Sequence, residues 1–213
     1  MKGKHLVDLT RTVRSGMLVY PGDPEVVLEK LVCCSQDGYT LTTISSGMHV
    51  GTHLDTPAHI FKNGETIEHV DLERMAGSGM VLDCSSCGEV IELEGLDEVV
   101  RGKRPQVILI YTGHGNKWGG GPDYYDTYPY LSKRASLWLA SLGVKMVGLD
   151  TPSPDAPHSR DLSGHRALLS KDILIVENLA NLEKLLNQDF WFMSFALKLS
   201  GAEASPVRAV AWI

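Results

Sequence analysis

Residues 106–113 read QVILIYTG. Val107, Ile108, Leu109 and Ile110 follow one another with no polar residue between them. A short unbroken apolar run that ends at a glycine reads as a strand covered on both faces, the kind found inside a parallel sheet. Working outward, VKMVGLD (144–150) and ILIVENL (173–179) have the same character. The stretch between the first two strands, LSKRASLWLASLG (131–143), reads as a helix that Ser132 caps and Gly143 stops. SGHRALLSKD (163–172) and ANLEKLLN (180–187) read as further short helices. Upstream, GMVLDCS (79–85) is a strand, and LEGLDEVVR (93–101) carries Leu96, Val99 and Val100 at helical spacing.

Both ends of the chain are mostly strands. HLVDLT (5–10), EVVLEKLVCC (25–34) and YTLTTISSG (39–47) open it, with the turn VYPGDPE (19–25) after the first of them. FWFMSFALKL (190–199) and VRAVAWI (207–213) close it. Strand–helix alternation between strand-rich ends makes residues 1–213 a single α/β domain with a mixed sheet, the apolar middle strands central and helices covering them.

The totals narrow the function classes. A net charge of −6 and no long run of Lys and Arg exclude a nucleic-acid surface. No segment approaches the ~20 apolar residues of a membrane span. The N-terminus MKGKHLVDLT has Lys2 and Lys4 but no apolar stretch after them, so it does not read as a signal peptide. The four cysteines, Cys33, Cys34, Cys84 and Cys87, then point to a reducing, cytoplasmic setting. The C-x-x-C pair Cys84/Cys87 has no second pair to complete a zinc site and reads as two small residues at a strand end, and His5, His69 and His158 have equally plain readings.

The chemistry concentrates in HVGTHLDTPAH, residues 49–59. His49, His53, Asp55 and His59 fall at even offsets, but in a flat strand residues four apart lie ~13 Å from each other, too far to share an ion. Gly51, two threonines and Pro57 disfavour a helix. A segment curled at Gly51 brings His49, His53 and Asp55 onto one ion, with His59 just beyond. The alternative is a polar turn with its histidines in solvent. Three ligands leave coordination positions open, as in catalytic sites, where the pKa of a bound water falls towards ~7. Asp55 has two oxygens and could serve a second ion, for which His165 and Glu177 are the candidate ligands. Glu177 follows four aliphatics, and a carboxylate buried there needs a partner, although a strand-end residue in solvent is the other reading.

HVGTHLDTPAH resembles the His-x-Gly-Thr-His-x-Asp-x-Pro-x-His signature of the cyclase family of metal-dependent hydrolases, which includes the bacterial-type kynurenine formamidases. DLTRTVRSGMLVYPGDPE (8–25), GLDTPSPD (148–155) and SGHRALLSKDILIVENLANL (163–182) extend the resemblance over nearly the whole chain. It implies a swivelling β/β/α fold and a homodimer or larger homo-oligomer. It also implies two zinc ions per subunit: His49 and His53 on the first, Asp55 bridging, His165 on the second, Glu177 as the other bridging carboxylate. His59 matches the general acid/base. The implied reaction, a step of tryptophan catabolism, is hydrolysis of N-formylkynurenine or a related N-formyl aryl amine to the amine plus formate. Tyr20 stands where the formamidases place a tryptophan against their aromatic substrate, and this leaves the substrate open. The Gly-rich loop after Thr112 offers His114, Lys117 and Trp118 as further pocket residues.

Two rivals stand beside this reading. One is a cyclic-amide, isatin-type hydrolase using manganese, which favours octahedral, oxygen-rich coordination. The other is a non-catalytic metal-binding protein, which leaves His59 without a role.

Overall fold

The side-chain alternation of the central strands builds two separate apolar layers. In the computed structural model, which describes residues 5–121 and 123–213, the strands are β1 (Leu6–Asp8), β2 (Val27–Val32), β3 (Leu41–Ser45), β4 (His53–Asp55), β5 (Ala76–Asp83), β6 (Val90–Ile91), β7 (Val107–Tyr111), β8 (Tyr130–Leu131), β9 (Met146–Leu149), β10 (Leu174–Glu177), β11 (Phe190–Ala196) and β12 (Ala204–Trp212). Lys2, Lys4 and Pro122 of the Gly-rich loop lie outside the described residues.

The main sheet has eight strands in the order β1-β12-β11-β5-β7-β9-β10-β4. Strands β5, β7, β9 and β10 are parallel neighbours and the remaining pairs are antiparallel, so the sheet is mixed, as the alternation implied. β4 also pairs with β12, and this closes the sheet into a barrel-like ring. β12 permits the closure because one of its edges is shared: Ala204–Pro206 face β4, and Val210–Trp212 face β1.

Along β7, Val107 and Leu109 point into the ring while Ile108 and Ile110 point out. Met146 against Val147 on β9, and Leu174 and Val176 against Ile175 on β10, repeat the division. The inner core adds Leu54, Phe192, Ala209 and Ala211. The outer core is covered by Leu96 and Val100, by Leu139 of the helix Lys133–Ser141, and by Leu168 of the helix Ser163–Leu169. Gly148 faces inward, and a Cβ there would lie 2.6 Å from Leu109 and from Leu179, so a side chain would displace the inner packing. Ser132 accepts the Ala135 N–H to start its helix, and Gly143 has φ +70 just past the end, as the cap residues implied.

Three readings change. ANLEKLLN forms only a 3₁₀ turn, Leu182–Leu185, because Asn181 and Asn187 both adopt left-handed backbone and leave no room for a helix between them. The last strand begins at Ala204, with Pro206 inside it. The segment 49–59 is curled, but its centre is a three-residue strand, β4. No helix among the described residues is long and apolar enough to cross a membrane.

Candidate metal centre

Gly51 turns the chain with φ +60, His53–Asp55 then runs extended, and Pro57 opens a 3₁₀ turn that ends at His59. Within β4 the alternation sends Leu54 into the inner core and His53 and Asp55 to the opposite face. β10 lies antiparallel beside it with Glu177 opposite His53, so the carboxylate at the end of the apolar strand arrives on the same face. The helix Ser163–Leu169 brings His165 over this face.

The sequence candidates therefore meet. His49 Nδ1 lies 2.9 Å from Asp55 Oδ1, and His53 Nε2 lies 3.5 Å from the same oxygen. His165 Nε2 lies 3.6 Å from Asp55 Oδ2. Glu177 repeats the division, with Oε2 3.2 Å from His53 Nε2 and Oε1 3.2 Å from His165 Nε2. Each carboxylate thus turns one oxygen towards the His49/His53 side and the other towards His165. His59 is adjacent, its ring 4.3 Å from that of His49 and 5.3 Å from that of His165. His49, Asp55 and His59 offer donor atoms within 4.8 Å of one another, as do His53, Asp55 and Glu177.

His53 Nε2, both Asp55 oxygens and Glu177 Oε1 are buried with no hydrogen-bond partner. Several orphaned donor atoms of metal-ligand type converging on one point would be costly without a cation, so these residues fit a divalent ion. Two of the histidines are oriented by the nitrogen that faces away: His53 Nδ1–H donates to the Gly51 carbonyl at 3.0 Å, and His165 Nδ1 lies 2.6 Å from Asp155 Oδ2. Thr52 and Asn178 brace the bend. Thr52 Oγ1–H donates to the Asn178 carbonyl, and Asn178 Nδ2–H donates to Gly51 O.

The field is set by these contacts. Burial opposes ionisation of Asp55, but His49, His53 and the nearby His165 hold its carboxyl well below the usual range. Burial also opposes protonation of His49, yet Asp55 overcomes it and lifts the imidazole to about 9. His59 goes the other way. Burial, aided by His49 and His165 and opposed by Asp55, holds it below the ordinary imidazole value.

The face opens into a cavity of about 260 Å³. Besides the histidines, Tyr20, Asp23, Tyr125, Ser153 and Leu162 line it, and Tyr20 meets Tyr125 edge to face at 5.7 Å. The Gly-rich loop contributes differently from the sequence reading. His114 is buried under the loop with Nε2 bonded to Tyr124 O, Lys117 is exposed, and Trp118 lines a neighbouring cavity. Tyr125, from just past that loop, is the residue that reaches the pocket. Sequence reasoning also missed Glu203, whose Oε1 lies 3.3 Å from His49 Nε2, together with Asn178 and Asp155. Only Asn178, next to Glu177, and Asp155, inside GLDTPSPD, carried any signal.

Residues 7–156 match a family model described as putative cyclase. Over 209 residues the chain is 31% identical to a kynurenine formamidase of Bordetella petrii, with 97% of each chain covered. A kynurenine formamidase of Bacillus cytotoxicus is 26% identical over 218 residues, covering 99% of this chain and 98% of the relative. Isatin hydrolase A from Ralstonia solanacearum has a similar fold, with a TM-score of 0.88 at 22% identity over 99% of this chain and 92% of that one.

Proposed function

This chain belongs to the cyclase family, and from that premise we propose that it is a metal-dependent amide hydrolase of the arylformamidase type, cleaving N-formylkynurenine or a related N-formyl aryl amine to the amine and formate. The observation that carries the reading is the divided presentation of Asp55 and Glu177, each with one oxygen towards His53 and the other towards His165. We assign the metal site to these residues: His49, His53 and Asp55 would hold one zinc ion and His165 a second, with Asp55 and Glu177 available to both. A bound divalent ion lowers the pKa of a coordinated water and polarises a carbonyl oxygen.

The chain's own residues supply the rest. His59, beside the cluster, takes a proton from the attacking water and returns it to the amine nitrogen as the C–N bond breaks. Tyr20 and Tyr125 form the aromatic wall against which the aryl ring packs. Low solvent exposure of His53, Asp55, His165 and Glu177 strengthens every charge interaction at the reacting centre.

Turnover of N-formylkynurenine by zinc-loaded protein, lost with chelator and restored by zinc, is the test. Turnover of isatin with manganese, and of no formamide, replaces this reading with the cyclic-amide one. Metal binding without hydrolysis of any formamide, lactam or ester leaves a binding protein.

A second copy of the chain completes the proposal. The β2–β3 hairpin exposes Leu31, Tyr39, Leu41 and Ile44, between 46% and 60% each, and a two-stranded hairpin is marginal without a surface to pack on. We place a homodimer or larger homo-oligomer contact there. The cysteines are free thiols, which fits a cytoplasmic enzyme.

A further inference from the structure

The helix that carries His165 has an irregular start. It spans only Ser163–Leu169, and the residue before it, Leu162, has φ 48 and offers no side-chain cap. Its first-turn donors are satisfied from elsewhere. The Gly164 and His165 N–H groups both donate to the carboxylate of Asp155, on Oδ1 and Oδ2. His165 Nδ1 comes to the same Oδ2 at 2.6 Å. One carboxylate, 3% exposed, thus collects two backbone donors and an imidazole.

Asp155 is itself held in place. Its N–H donates to Ser153 Oγ at 3.1 Å, Thr151 Oγ1–H donates to the Ser153 carbonyl at 3.0 Å, and the Leu131 N–H donates to the Pro154 carbonyl at 2.9 Å. The Pro-rich loop after β9 is therefore a rigid mount for a carboxylate aimed at His165. Asp155 Oδ2 lies against Nδ1, while Nε2 points at Asp55 and Glu177 on the other side of the ring.

We propose that Asp155 is the positioning residue of the metal centre: its carboxylate holds the Nδ1–H tautomer of His165 and commits Nε2 to the ion, while the same oxygens start the helix that carries the ligand. A hydrogen bond to a carboxylate fixes ring orientation and raises the basicity of the opposite nitrogen. The helix start and the ligand tautomer are then coupled through one side chain, and the loop 150–155 acquires a role that its sequence alone did not disclose. The inference rests on the metal-hydrolase reading above.

The test is zinc affinity of the full chain, measured by competition with a chromophoric chelator and so independent of any substrate. Asp155→Asn keeps an acceptor for a backbone N–H but removes the charge, and it is expected to weaken zinc binding by ~10–100-fold. Affinity within about twofold of wild type, with only the melting temperature lowered, reduces Asp155 to a helix cap and overturns the inference. If Asp155→Asn does not fold, ¹⁵N imidazole spectra of zinc-loaded wild type decide the matter: a proton on His165 Nδ1 supports the inference, and one on Nε2 overturns it. Wild-type protein that binds no divalent ion overturns the metal-hydrolase reading itself, whereas normal zinc binding in both proteins overturns only the role of Asp155.

Discussion

Glu177 faces His53 across the β10–β4 ladder, and its Oε2 lies 3.2 Å from His53 Nε2. Its other oxygen reaches His165 at the same distance, 3.2 Å. In the proposed two-metal centre a residue so placed would serve both halves. Glu177→Gln removes the charge and one acceptor, and it should lower bound metal per chain. It should also reduce kcat/KM by on the order of 10²-fold or more, since metal charge stabilisation is worth several kcal/mol. Elemental analysis beside steady-state kinetics checks this, and an unchanged metal content would remove Glu177 from the ligand set.

His59 is close enough to His49 and Asp55 to be read as a ligand as well as a proton carrier. The two roles separate cleanly. As the acid/base, His59→Ala should cut kcat by ~10²–10⁴-fold while the metal content stays at the wild-type level. Metal lost together with activity would make His59 a ligand.

Tyr20 stands edge to face with Tyr125 at the mouth of the site. If it packs on an aryl ring, Tyr20→Ala should raise KM for aromatic formamides by roughly 2–10-fold, the size of one aromatic contact. KM for a small aliphatic formamide should hardly move. Equal effects on both substrates would place the aromatic ring elsewhere.

Ile44 on β3 is 60% exposed and Leu31 on β2 is 55% exposed. Ile44→Lys or Leu31→Lys should cost the folded chain little, because neither side chain is in a core, yet each would place a charge in an apolar contact between copies. Light scattering should then find wild type as a dimer or larger and the variants as smaller species. One mass for all three would move the interface off the hairpin.

Arg208 on β12 grips Asp8 on β1 through two hydrogen bonds, 2.9 and 2.7 Å. Burial pushes the Asp8 carboxyl up, but the Arg208 and Thr10 bonds outweigh it and leave it below its ordinary value. A depressed carboxyl contributes stability above the unfolded value of ~3.9 and loses it as pH falls through the folded one. Arg208→Ala should therefore lower the melting temperature slightly at pH 7, slightly because both groups are largely in water, and the gap should close in acid. A gap that persists at low pH would assign the effect to packing.

The central strands and the motif at 49–59 were legible because both are local signals. Four aliphatics in a row at Val107–Ile110 mark a strand covered on both faces wherever it is placed, and the helix after Ser132 is written in its caps. ANLEKLLN misled because its spacing is helical while Asn181 and Asn187 take left-handed backbone, a choice made by contacts such as Asn181 Nδ2–H to the Asp8 carbonyl at 2.8 Å.

Sequence alone determined the residue types of the centre, the bend at Gly51 and the α/β alternation, since periodicity and turn chemistry act over a few residues. Only the tertiary structure decided that β4 pairs with both β10 and β12 and closes the ring, which sets Glu177 beside His53. It also decided that Asp155 would meet His165, that Glu203 would approach His49, and that Tyr125 rather than the histidine of the Gly-rich loop would reach the pocket. These are meetings of segments far apart in the chain, produced by long-range strand pairing and helix packing, and no local pattern encodes them.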